Sequence, residues 1–431
     1  MSEQGLFSSK HISELFQKAL YTLALLIVFR IGSFVPVPCI DSVALFEISS
    51  KNQMGFLGMF NMLSGGALGR MSIFALAIMP YITASIIIQL LSMIYKPLDN
   101  LKKEGESGRK KINQLSRYLT IFLATIEAYI AAVNLENLVS SAGQVVIISG
   151  IFFKICTVVT LVTGTTLLVW IGEQITSRGI GNGSSMIIFV GIVSGLPSSL
   201  ISLFELSRTG VVSYFNALYM CAMILSMLAF VVFVERSFRK VLIHTPQKKI
   251  QNLTSSANYL PIKLNIAGVI PPMFASSVLF LPATIISFYQ TNGKVAEWFF
   301  YNFARGKPLF ILAYVFLIFF FGFFYSAIVF NSEEVANNLK KSGAFIPGKR
   351  PGVATAEYFD YLIVRITSIG SLYLVVICIV PELLITQMVS LSFSGTSLLI
   401  CVSVIMDTFA QIQSHSMNRQ YGALVKKIRF R

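Results

Sequence analysis

A chain of 431 residues that is 55% hydrophobic, 12% charged and has a mean hydropathy of +0.73 is excluded from the water-soluble class, since soluble domains are roughly a quarter charged. The 34 Lys and Arg against 19 Asp and Glu give a net charge of +15, and these cations are unevenly placed. Backbone polar groups in lipid need partners inside their own segment, so spanning helices are expected; the short alternating strands of a membrane barrel are absent.

In chain order, an amphipathic cytosolic segment with Lys10 and Lys18 precedes the first apolar run. That run, Leu20 to Phe29, meets Arg30 with no small-residue cleavage site, which predicts a retained helix rather than a cleaved signal. A spanning helix needs about 20 apolar residues. Ten stretches meet that need: 20–38, 71–95, 118–138, 151–172, 185–205, 213–234, 264–289, 308–330, 366–387 and 397–413. All but eight of the 34 basic residues fall in the two ends and in alternate connections. Positive residues are retained in the cytoplasm, so both termini and the basic face are expected there.

The first outer connection contains GFLGMFNMLSGGALGR (Gly55–Arg70), too glycine-rich and short to span. Two readings are open: an exterior loop, or a re-entrant segment sheltered by protein. The second span carries Pro80-Tyr-Ile82-Thr-Ala84-Ser85 and the seventh Pro271-Pro-Met273-Phe-Ala275-Ser276, matching at proline, alanine and serine. Interrupted helices at corresponding places in two halves point to a central site between repeats. A repeat with five spans enters the membrane from the opposite side, so the repeat would be inverted.

The cytosolic loops KKEGESGRKK (Lys102–Lys111), ERSFRK (Glu235–Lys240) and KKSGAFIPGKRPG (Lys340–Gly352) are longer than turns and rich in cations. They serve either topology and anionic lipid or a polyanionic partner such as a ribosome; charge alone leaves both open. Glu127 and Asp407 lie within spans and are either ion sites or acids hydrogen-bonded between helices. Lys154 and Glu173 lie at ends of the fourth span, where snorkelling suffices. Cys156, Cys221, Cys378 and Cys401 sit in apolar runs, Cys39 follows the first span, and no CxxC pair exists. None of His11, His244 and His415 is mid-membrane, and nucleotide-loop, HExxH and GxSxG motifs are missing. No catalytic residue, metal or cofactor is expected.

Six segments carry a resemblance across the whole chain, in order: SGGALGRMSIFALAIMPYITASIIIQLL (Ser64–Leu91), KKEGESGRKKI (Lys102–Ile112), GEQITSRGIGNG (Gly172–Gly183), LPIKLNIAGVIPPMFASS (Leu260–Ser277), NLKKSGAFIPGKRPG (Asn338–Gly352) and TSLLICVSVIMDTFAQIQ (Thr396–Gln413). They closely resemble the SecY family of protein-translocation channels. The resemblance implies an all-α polytopic membrane protein of ten helices in two inverted halves, 1–205 and 206–431, around a central pore. It implies a plug at about 57–70, including Ser64, Gly65, Gly66, Ala67, Leu68, Gly69 and Arg70, as a short re-entrant helix. The pore ring carries over to Ile78, Ile82, Ile188, Ile192, Met273 and Ile400. Branched apolar side chains there would dewet the constriction.

A lateral gate between the second and seventh helices would include Thr83, Ser85, Phe274, Ser277 and Phe280. Motor or ribosome docking would use Arg236, Arg239, Lys248, Lys249, Lys340, Lys341, Lys349 and Arg350. Implied partners are SecE, SecG, the SecA motor, the ribosome, signal sequences and nascent chains, and anionic lipid, in the bacterial inner membrane. Two departures stand out. Met273 replaces the family's usual isoleucine, and the loop after the sixth span keeps only Lys248 and Lys249 where relatives often carry more cations. Two rivals remain. A small-molecule transporter would need convergent polar groups near Pro80 and Pro271, where only Thr83, Ser85, Ser276 and Ser277 occur. An insertase-like groove would need a mid-span cation that is missing.

Overall fold

The computed structural model describes residues 3–41, 45, 61, 64–136, 139–140, 143–210, 213–244, 258–289, 302, 307–385 and 395–429. Each of the ten apolar stretches contains a helix. The first five are α1 (Glu3–Gly32), α2 (Met79–Ile94), α4 (Glu106–Glu136), α5 (Ile151–Arg178) and α6 (Gly183–Arg208). The second five are α7 (Tyr214–Glu235), α8 (Ile270–Tyr289), α9 (Pro308–Val329), α11 (Val353–Ile385) and α12 (Gly395–Arg429). Short helices α3 (Lys96–Lys103) and α10 (Ser332–Lys341) follow α2 and α9. Among the described residues the named strands form two small antiparallel pairs: β1 (Val139–Ser140) with β2 (Gly143–Gln144), and β3 (Phe238–Ile243) with β4 (Asn258–Lys263). The β3–β4 register runs from Phe238 opposite Lys263 to Ile243 opposite Asn258.

By length and composition, eight helices among the described residues can cross a bilayer, and nine if the bent α2–α3 pair is one span. The protein is therefore a multi-pass membrane protein. Its helices turn large apolar side chains outward, such as Phe204, Phe215, Phe233 and Phe316. Lipid rather than water suits such surfaces.

Several boundaries differ from the sequence expectation, and two of them frame the first outer connection. The first helix stops at Gly32, and the second starts at Met79 rather than near 71. Residues 64–78 run as consecutive turns, with no helix within 64–70. Gly65 (φ 68°), Gly66 (φ 83°), Met71 (φ 40°) and Ala77 (φ 50°) are left-handed, a conformation that no right-handed helix accommodates. Pro80 then sits in the first turn of α2, and Pro271–Pro272 in the first turn of α8. These prolines begin helices instead of interrupting them, since a missing N–H costs nothing there. Ile82 and Met273 become the fourth residues of their helices.

Close helix crossings depend on glycine. A side chain at Gly183, the first residue of α6, would collide with the carbonyl of Gly172 on α5. Likewise Gly395, the first residue of α12, presses on the carbonyl of Ile377 on α11. The fifth helix of each predicted half thus starts with a glycine against the helix before it. Small residues permit such approach in membrane proteins.

Three apolar clusters hold the spans together. One joins Val37, Met71, Ala128, Phe153 and Leu161 in the first half. Another joins Val231, Ile318, Leu374, Ile377 and Leu399 in the second. The third lies between them and draws on both.

Candidate functional site

That central cluster contains Phe29, Phe74, Ile78, Leu168, Ile171, Ile188, Ile192 and Ile400, all buried. Ile82 and Met273 are half-buried and pack against it. All six residues expected for the ring therefore meet in one place. Ile82 N–H donates to the carbonyl of Ile78, the residue just ahead of α2, at 3.1 Å, and Ile188 and Ile192, one turn apart, share a face of α6. Ile78, Ile192 and Ile400 are 2% exposed or less. The cluster is accordingly buried and apolar throughout.

The turns of 64–78 lie against this cluster. They are knitted locally: Gly69 N–H donates to Asn61 Oδ1 at 2.6 Å, Gly66 N–H to the Asn61 carbonyl at 2.7 Å and Leu68 N–H to Ser64 Oγ at 3.2 Å. A Cβ on Gly65 would stand 3.0 Å from both the Gly191 Cα and Ser194 Oγ of α6. The turn thus seats one residue from Ile192. Ser64 and Ala67 are buried, while Gly66, Leu68, Gly69 and Arg70 are partly so. A short antiparallel bridge pairs Pro36 with Ser72, with Val37 N–H donating to the Met71 carbonyl and Ile73 N–H to that of Val35, each at 2.9 Å. Residues 57–60, 62 and 63 of the expected plug fall outside the described residues.

At the seam between α2 and α8, Ile86, Gln89 and Leu90 share a crevice with Phe274 and with Phe321, Phe324 and Tyr325 of α9. Phe274 stacks on Phe321 at 5.0 Å. Thr83 Oγ1 donates to the Met79 carbonyl at 3.1 Å and Ser277 Oγ to that of Met273 at 2.9 Å. Both hydroxyls are thereby satisfied within their own helices, and Ser85 Oγ accepts from Gln89 at 3.4 Å. The seam therefore presents apolar surface. The side chain of Phe280 lies outside the described residues.

Two of the basic loops assemble into one body. His244 and Phe345 exchange backbone hydrogen bonds of 2.9 Å, joining the β3–β4 hairpin to the loop after α10. Beneath them Val241, Ile262, Ile346, Phe359 and Ile366 form a buried cluster. Arg236, Arg239, Lys340, Lys341, Lys349 and Arg350 all remain exposed. Thr355 Oγ1 donates to the Arg350 carbonyl at 2.8 Å, which anchors that loop. Lys248 and Lys249 lie outside the described residues.

Several ionisable groups take roles that the sequence reading did not foresee. Lys154 pairs with Glu136 at 2.9 Å, and Glu173 takes both arms of Arg117 at 2.7 Å, so partners replace snorkelling at both positions. Asp407 is exposed and faces Lys263 at 3.5 Å; it is not a buried acid between helices. Glu235 is buried and accepts from Asn265 Nδ2 at 2.8 Å, with Asn265 only 4% exposed, while Glu127 is half-buried on α4. Arg30, which ends the first apolar run, donates to the Gly65 carbonyl at 2.8 Å. Its position within the stretch 20–38 was the available signal. Among the described residues no group of three or more His, Cys, Asp or Glu could hold a metal.

The architecture defines a class: polytopic helical membrane proteins with a buried apolar cluster drawn from many of their spans. The SecY family model matches residues 72–409. The protein translocase subunit SecY of Rickettsia bellii is 56% identical over 428 residues, covering 99% of both chains. This chain belongs to the SecY family. Among solved structures, one described as showing that the plug domain of SecY stabilises the closed state and maintains a membrane seal has a TM-score of 0.66 at 15% identity, covering 93% of this chain and 92% of that one. The Sec61 chain of a canine ribosome–channel complex from the endoplasmic reticulum gives 0.62 at 16% identity, covering 93% and 92%. At such identity these two establish a shared fold.

Proposed function

We propose that this chain is the pore-forming subunit of a protein-conducting channel, closed at rest. The observation that carries the reading is the convergence of Ile78, Ile82, Ile188, Ile192, Met273 and Ile400 on one central cluster. Such a constriction excludes ions by dewetting and offers no polar group to grip a passing chain. An unfolded secretory polypeptide enters from the cytosol, displaces the turns at 64–70 and threads the ring. A hydrophobic segment instead leaves sideways between α2 and α8. Each Leu, Ile, Phe or Val at its centre favours lipid by about 0.3–0.6 kcal/mol.

The chain is divided into halves of five spans, 1–205 and 206–431, with both termini cytoplasmic in the bacterial inner membrane. The separate apolar clusters of the two halves and the matched glycines Gly183 and Gly395 support that division. It performs no catalysis; a SecA-type motor or a ribosome supplies work, and SecE and SecG complete the complex. The exposed cations Arg236, Arg239, Lys340, Lys341, Lys349 and Arg350, held in one body by the His244–Phe345 bridge, suit a polyanionic partner. They also attract anionic lipid.

Replacing Ile82 and Ile400 together with Asn wets the ring. The expected result is raised ion leak and export of substrates with defective signal sequences. Unchanged leak and unchanged export in that double variant would overturn the assigned ring.

A further inference from the structure

Two guanidinium groups converge on one exposed ring. The Cζ of Arg30 lies 4.7 Å from the centroid of Phe34, and that of Arg70 lies 4.4 Å from it. Arg30 comes from the end of α1, whereas Arg70 lies midway along the run of turns at 64–78. Each contact is favourable by itself, but together they bring two like charges close. The buried Nη1 of Arg70 has no hydrogen-bond partner. Arg30, by contrast, donates to the carbonyl of Gly65, whose left-handed backbone (φ 68°) aims that oxygen at α1.

The mechanics of this segment are uneven. Asn61 binds Gly66 and Gly69 into a compact knot, so the knot moves as a unit. Its trailing end is hinged by the bridge between 35–37 and 71–73. Its leading end touches α6 at Gly191 and Ser194 through a glycine that has no side chain to interlock. Among the described residues, Arg30 to Gly65 is the charge-assisted hydrogen bond between this leading end and the helices.

We propose that Arg30 is the latch of the plug: its bond to the Gly65 carbonyl keeps the knot seated over Ile192, and the repulsion between Arg30 and Arg70 sets it to release. The inference rests on the channel reading above. Losing the latch frees the leading end while the 35–37 hinge keeps the segment attached. The closed state is weakened without altering the aliphatic ring.

The test is Arg30→Met in the full chain within its assembled complex, with export of a reporter bearing a crippled signal segment as readout. A charge-assisted hydrogen bond of typical worth predicts a rise of about tenfold or more. Export of the intact-signal reporter stays level. In a Cys39→Ser background carrying Ser64→Cys, an impermeant maleimide added from outside should label faster once Arg30 is replaced, because Ser64 is only 2% exposed when seated. Arg30→Lys keeps a cationic donor and should restore most of the closure.

Where Arg30→Met does not accumulate, Arg30→Gln is read instead and should shift both measurements in the same direction. If the Arg30 variant leaves both unchanged while the Ile82→Asn, Ile400→Asn control leaks, the latch is wrong and the channel reading stands. If the control is silent too, the channel reading falls first.

Discussion

Gln411 Oε1 accepts a hydrogen bond from the N–H of Gly181 at 2.9 Å, across 230 residues of chain. This bond fastens α12 to the connection between α5 and α6, and so ties the second set of spans to the first. On its other side the same connection is held by α1, where Thr22 Oγ1 accepts from the Ile180 N–H at 3.0 Å. Gly181 is buried and left-handed at φ 90°, so no other residue type presents its N–H there without strain.

Replacing Gln411 with Leu leaves that buried donor without its acceptor. The expected loss is about 1–3 kcal/mol, read as a lower thermal unfolding midpoint of the purified complex in detergent. Thr22→Val should act similarly on Ile180. An unchanged midpoint in both would show that neither bond holds the α5–α6 connection in place.

Glycine substitutions on one helix should diverge sharply. Gly183→Ala drives a methyl group into the Gly172 carbonyl and spreads α5 from α6. Overpacking of this kind costs about 1–3 kcal/mol, and membranes should contain less protease-resistant protein. Gly195→Ala on the same helix meets nothing within 4 Å. It should be neutral or stabilising by up to about 1 kcal/mol, because alanine is the better helix former. Equal behaviour of the two variants would contradict the tight crossing.

The Glu235–Asn265 contact makes a prediction about charge. Asn265→Asp sets a second carboxyl against a carboxyl 9% exposed and removes its donor. Asn265 also donates to the Gly268 carbonyl at 3.2 Å, just ahead of α8, so the entry to that helix loses its anchor. Leaving a buried charge unpaired costs about 3 kcal/mol or more. Adding Glu235→Gln to Asn265→Asp supplies an amide donor again and should recover most of the stability, measured by the same unfolding assay. No recovery would mean that the two side chains do not act as a pair.

Much of the fold was readable from hydropathy because each span satisfies its own backbone. A helix exists in every stretch where about 20 apolar residues occur, from 20–38 to 397–413. The boundaries near Met79 were harder. Residues 71–78 are as apolar as the helix that follows, and only the left-handed residues Met71 and Ala77 divide them. Neither is glycine, so no sequence signal marked the turn. The ion pairs were hidden for a different reason: Arg117 and Glu173 are 56 positions apart, and their meeting depends on how α4 packs on α5. Asp407 was misread because its helix continues to Arg429, placing it on exposed surface beside Lys263.

By itself the sequence determined that this chain lives in a membrane, how many apolar segments it offers and which connections are basic. Those properties follow from the transfer of single segments between water and lipid, and they need no knowledge of neighbours. The tertiary structure alone decided that the turn at Gly65 rests on α6 and that Arg30 reaches it. Such relationships join residues tens to hundreds of positions apart, and only the packing of helices against each other brings them within a few ångströms.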